Sequence, residues 1–145
     1  MKIALCHSMQ FAEKAKEVQE WLNKQGHEAS PPADNDLFLG LSDDEKEKLK
    51  LKQKYEQDVI REHWLVIQDS DVVLILNYDK HCIKGYIGGN AFLEMGFAHI
   101  LKKPIYLLNP IPEMPHYQTE IIAMKPVVID GDLTRIDSQH ESQSV

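Results

Sequence analysis

Apolar positions along the chain alternate between short continuous runs and helical stripes, which is the pattern of a sheet whose strands are covered on both faces. Lys2–Cys6 reads as a first buried strand. His7-Ser8-Met9 turns the chain into a helix with Phe11, Ala15, Val18 and Leu22 on one stripe and Gly26 as its stop. His27–Ser30 is a short second strand, broken by Pro31-Pro32. Asp34–Gly40 is an irregular loop, and its Leu37-Phe38-Leu39 either covers a crevice, packs on a partner subunit or plugs the loop's own core.

Ser42 and Glu45 have capping-box spacing, with Asp43 and Asp44 between them, and predict one long helix from there to about Gln68. Its first half is a mixed-charge solvated face, and its second half carries Ile60, Trp64 and Ile67 as the core-facing stripe. Arg61 and His63 lie off that stripe; the solvated-surface reading is favoured over one in which either reaches a crevice. Val72–Leu76 is the most apolar strand and Ile105–Leu108 the next, and Asn109-Pro110-Ile111-Pro112 makes a rigid exit. A short helix over His116–Met124 and a last strand, Val127–Ile129, complete the order. The alternation predicts an α/β fold: a single-domain doubly wound (flavodoxin/Rossmann-like), mostly five-stranded parallel sheet with helices on both faces. Residues 1–137 form the domain and 138–145 a polar, disordered tail.

Between the two central strands lies Gly88-Gly89-Asn90-Ala91-Phe92-Leu93-Glu94. Asn90 is the expected N-cap, which places Glu94 on the first helical turn at the carboxyl edge of the sheet, where ligands of such folds bind. Backbone N–H groups at a helix start favour an anion, so an anion cradle and one carboxylate meet there. A plain turn with Glu94 serving only the helix dipole explains the same spacing equally well.

Composition narrows the field. The net charge of −7 over 145 residues argues against a general nucleic-acid binder. Cys6 and Cys82 are isolated and lack metal-type spacing, so no metal is expected. A reducing, cytoplasmic location follows from that cysteine usage, from the lack of a leader pattern at Met1 and from the lack of a long apolar run.

Ser70–Asn77, Gly88–Ala98 and Lys103-Pro104-Ile105 together resemble the nucleoside 2-deoxyribosyltransferase-like superfamily, which includes deoxyribosyltransferases and nucleoside monophosphate N-glycosidases. The resemblance implies Glu94 as a nucleophile on the anomeric carbon, forming a glycosyl-enzyme intermediate, with Asp71 as the acidic partner that places it and handles the leaving base's proton. It further implies a substrate-binding set of His7, Ser8, Asn77, Gly88, Gly89 and Asn90, no organic cofactor, and a homodimer or higher homo-oligomer. Where nucleoside-using relatives carry an Asp six positions before the nucleophile, this chain has Gly88, which points to a nucleotide substrate through backbone donors to a 5′-phosphate. The aromatic residue that transferases place near the C-terminus is missing from Ser142-Gln143-Ser144-Val145. Hydrolysis or transfer at the N-glycosidic bond of a nucleotide or deoxynucleotide is the leading reading; a glycohydrolase of a nicotinamide dinucleotide and a non-catalytic nucleotide-sensing module stand as alternatives.

Overall fold

The structure is a computed structural model, and it describes residues 1–136. The expected tail lies outside the described residues, as does the last residue of the expected domain. Five strands form one all-parallel sheet: β1 (Lys2–Cys6), β2 (Glu28–Ser30), β3 (Val72–Ile75), β4 (Ile105–Leu107) and β5 (Val127–Val128), in the order β2-β1-β3-β4-β5. Chain direction reverses its lateral progress between β1 and β3, so that junction is the switch point where the carboxyl edge opens into a crevice.

Period-2 alternation sorts the strand residues between two cores. Ile3, Leu5, Val72 and Leu74 face α1 (Ala12–Lys24), whose Ala15, Val18 and Leu22 recur at helical spacing. Ala4, Cys6, Val73 and Ile75 face the other way, onto α3 (Val59–Gln68), α4 (Gly89–Ile100) and α5 (Gln118–Ala123) through Ile67, Met95, Ala98 and Ile121. Each such fully buried aliphatic contributes about 1.5–3 kcal/mol, and together they fix the strands that carry the crevice.

The single long helix expected over 42–68 is two helices. α2 (Asp43–Glu56) begins at the expected capping box of Ser42 and Glu45, and it ends where Gln57 adopts an extended backbone. Asp58 then starts α3 afresh: its carboxylate accepts from the Arg61 N–H at 3.3 Å and pairs with the Arg61 guanidinium at 2.5 Å. A local cap competing with helix propagation is the physical reason for the break. The new start also rotates the buried stripe. Ile67 is buried as expected, but its partner one turn back is His63, while Ile60 is 48% exposed and Trp64 only half-buried. In the Asp34–Gly40 segment, Asn35–Phe38 is a 3₁₀ turn that buries Phe38 in the chain's own core and leaves Leu37 outside.

Two polar ties hold the crevice walls. α2 is anchored by Lys46, whose buried ammonium donates to the Gln10 carbonyl at 3.2 Å and to the Glu13 carboxylate at 2.5 Å. At the carboxyl ends of β3 and β4, the Asn77 amide nitrogen donates to the carbonyls of Gly85, Asn109 and Pro110 at 3.3, 2.9 and 3.3 Å. Its oxygen accepts from the Asn109 N–H at 2.9 Å, and the Asn109 side chain donates back to the Asn77 carbonyl at 3.0 Å. Gly85 completes the knot at φ +66°, where an added Cβ would lie 2.8 Å from the Pro110 carbonyl oxygen.

Replacing Asn77 by Ala strands buried backbone groups, and we expect a loss of about 2–4 kcal/mol, read as a lowered urea midpoint. The Lys46 ammonium holds the Glu13 carboxyl below its usual range, chiefly through their hydrogen bond. That stabilisation is present above the unfolded carboxylate value of about 4.3 and is lost as pH falls through the lower folded value. Glu13→Gln is therefore expected to cost about 1–2 kcal/mol at pH 7, less than for a fully buried pair because Glu13 is half exposed. Urea titrations of wild type and variant should converge in acid; a gap that persists there would refute the pairing.

Candidate functional site

A cavity of about 200 Å³ opens at the β1/β3 switch point. β1 delivers His7 and Ser8 to its floor, the segment after β3 delivers Lys80, Tyr86 and Gly88, and α4 supplies Gly89, Asn90 and Glu94. α2 contributes Lys50, Gln53 and Lys54 to one wall, and α3 contributes Val59, Ile60 and His63. The break at Gln57-Asp58 lets the two helices flank the cavity independently.

α4 starts two residues earlier than the expected Asn90 cap. Gly88 is the N-cap in extended backbone, it offers no side chain to the helix, and no acidic residue sits in the first turn. Glu94 is the sixth helical residue, too far along to serve the dipole at the helix start. The first-turn N–H groups, which an α-helix cannot pair internally, border the cavity beside Gly88 and Gly89. A Cβ on Gly88 would come within 3.2 Å of the Tyr86 ring, whereas one on Gly89 would meet nothing within 4 Å.

Glu94 lies deep, its side chain 13% exposed, with one oxygen 2.9 Å from His63 Nε2. The two make a buried pair, and His63 Nδ1 has no hydrogen-bond partner among the described residues. Cys6 Sγ is 3.5 Å from the same His63 nitrogen. Burial, and then the neighbouring Glu94 carboxylate, push the Cys6 thiol well above its usual range, so it is a neutral thiol near pH 7. His7 is also buried, and burial lowers its pKa to about 4. Its Nδ1 lies 2.8 Å from the Ser8 carbonyl oxygen, which can only accept, so the proton sits on Nδ1 and Nε2 presents a lone pair with no partner.

The cationic side of the cavity is built on Ser8. Its hydroxyl caps the 3₁₀ turn Met9–Phe11 through the Gln10 N–H and accepts from Lys80 Nζ at 2.8 Å. Burial, followed by repulsion from Lys50, lowers the Lys80 pKa from its ordinary value. Lysines crowded enough to repel one another, next to unpaired helix N–H groups, form an anion-seeking rim above the carboxylate floor.

Of the residues singled out from sequence, His7, Ser8, Gly88, Gly89, Asn90 and Glu94 meet in this one cavity. Asp71 and Asn77 do not. Asp71 is exposed at the amino edge of β3, the opposite edge of the sheet from Glu94, where its carboxylate accepts from the Lys2 N–H at 2.7 Å and ties β3 to β1. A residue that precedes a strand cannot reach the edge that follows it, so the expected partnership with Glu94 gives way to a strand-start cap. Asn77 is fully buried, and its amide is spent on the loop carbonyls already described. His63 and Cys6 were missed as neighbours of Glu94: the stripe containing Ile60 hid the first, and the run of apolar residues in β1 hid the second. The i,i+4 pair of His63 with Ile67 was the available signal.

Among the described residues, no helix is long and apolar enough to cross a membrane. No family model matches the chain, and no curated protein matches it. A solved structure to which it is similar is that of the CMP N-glycosidase BcmB of Clostridium botulinum, at 16% identity over 90% of each chain with a TM-score of 0.48. A likeness that loose carries neither residue roles nor an activity across.

Proposed function

We propose that this chain cleaves the N-glycosidic bond of a nucleotide or deoxynucleotide, by hydrolysis or transfer, with Glu94 as the nucleophile. The observation that carries the reading is the placement of one deeply set carboxylate beneath a rim of Lys50, Lys54, Lys80 and the uncapped start of α4. A phosphate held at the rim leaves the sugar to extend toward the floor, where the Glu94 carboxylate faces the anomeric carbon.

Attack forms a C1–O bond to Glu94 as the C1–N bond breaks and its electron pair leaves with the base. The departing base nitrogen takes up a proton, and water or a second base then displaces the glycosyl ester and restores the carboxylate. With Asp71 at the far edge, the groups able to orient Glu94 or pass a proton are His63, 2.9 Å away, and the neutral His7.

Assembly as a homo-oligomer belongs to the same reading. Leu65, Leu93 and Ile100 of the adjacent helices α3 and α4 are 53%, 45% and 79% exposed, beside Ile60. In the 37–39 loop, Phe38 is buried in the chain's own core, which leaves Leu37 as its exposed apolar residue.

The enzymatic test is incubation with a panel of nucleosides, nucleoside monophosphates and a nicotinamide dinucleotide, with released base followed by chromatography. We expect base from a monophosphate and a fall of about a thousandfold or more in Glu94→Gln. A preference for unphosphorylated nucleosides would remove the phosphate assignment, and saturable binding without turnover would favour the sensing module. Light scattering at micromolar concentration should give at least a dimer; a monomer would contradict the assembly.

A further inference from the structure

Cys6, His63 and Glu94 bring a sulfur, a nitrogen and a carboxylate oxygen within 4.8 Å of one another from the end of β1, the middle of α3 and the second turn of α4. The geometry points to a binding site for one divalent cation of the zinc class, held by Cys6 Sγ, His63 Nε2 and Glu94, with a fourth position open to the cavity. The sulfur–nitrogen distance is that of a tetrahedral edge. Bonds of about 2.3 Å to sulfur and about 2.0–2.1 Å to imidazole nitrogen, at a tetrahedral angle, separate the two ligand atoms by about 3.5 Å. Cys6 Sγ and His63 Nε2 are 3.5 Å apart. Nitrogen and carboxylate oxygen stand 2.9 Å apart, a few tenths of an ångström closer than the same construction requires, a gap that a small rotation of Glu94 closes.

A second observation points the same way. His63 and His7 are 4% and 5% exposed, yet His63 Nδ1 and His7 Nε2 have no hydrogen-bond partner among the described residues. Buried polar atoms are ordinarily satisfied. A cation, with the water it carries at the open position, brings a hydrogen-bond donor into the cavity that His7 lines. The donor set decides the ion: Ca²⁺ and Mg²⁺ require six or more oxygen ligands or waters, whereas one thiolate and one imidazole select zinc and its neighbours. On binding, the Cys6 S–H bond gives way to the metal–sulfur bond and one proton leaves to solvent. Metal occupancy and nucleophilic use of Glu94 are mutually exclusive; that consequence rests on the glycosidase reading, and the binding does not.

The test is a Co²⁺ titration of the full chain, read by thiolate-to-cobalt charge-transfer absorption in the near ultraviolet and by its displacement with Zn²⁺. Cys82 is the other thiol and is exposed, so the titration is run in Cys82→Ser. We expect one equivalent of cobalt to raise the band there, the band to vanish in Cys6→Ser, and His63→Gln to weaken affinity by at least about tenfold, the lower figure for losing even an outer-sphere partner. Absence of the band, or a band lost in Cys82→Ser, would overturn the site. Should Cys6→Ser fail to fold by circular dichroism, His63→Gln decides alone: unchanged cobalt affinity overturns the proposal. None of these readouts depends on glycosidase activity, so a failed turnover assay and a failed metal site are separately visible.

Discussion

Holding a carboxylate nearly out of water, without a fully formed set of hydrogen bonds, is the constraint on which this structure turns. Desolvating such a group costs several kcal/mol unless something compensates. Here the compensation comes from an imidazole nitrogen 2.9 Å from Glu94, on a helix that exists as a separate unit because Asp58 restarts it, and from the neighbouring Cys6 thiol. The helix break, the burial of His63 and the depth of Glu94 are thus one arrangement seen from three positions. An exposed glutamate would need none of them.

The two edges of the parallel sheet divide the labour. At the amino edge, Asp71 and Asp69 engage Lys2 and serve only to align β3 with β1. At the carboxyl edge, the side chains with incomplete bonding are gathered: His7, His63, Glu94 and the unpaired start of α4. At that same carboxyl edge, the Asn77 and Asn109 amides are bonded to each other and to the neighbouring backbone. Bonded polar groups thus brace the cavity, while the imidazoles of His7 and His63 line it with a nitrogen each left without a partner among the described residues.

How legible this was from sequence depends on the range of the interaction. The strands were readable because continuous apolar runs such as Val72–Ile75 carry their own signal, and the parallel order followed from alternation with helices. The Ser42 capping box was readable for the same reason: it is complete within four residues. Gly88 as cap was not, because a glycine N-cap leaves no side-chain mark and Asn90 is the better capping residue by type. His63 and Cys6 were illegible as partners of Glu94 because three elements bring them together, and no spacing along the chain encodes that. Asp71 shows the converse error. The family resemblance pairs it with Glu94, although the length of β3 holds the two at opposite edges.

The cavity wall formed by α2 has a different standing from the rest. Lys46 and Gln53 are its buried residues, and Lys46 is its polar anchor to the α1 region, whereas the floor is built from β1, α3 and α4 around a shared apolar core. On the proposed reading, admission and chemistry therefore reside on elements with separate folding loyalties. A lineage of this fold could exchange Lys50, Gln53 or Lys54, and with them the molecules it accepts, while leaving the packing around Glu94 untouched. Innovation in what is recognised would be cheap and innovation in the reaction costly, an asymmetry written into which helix carries which residues.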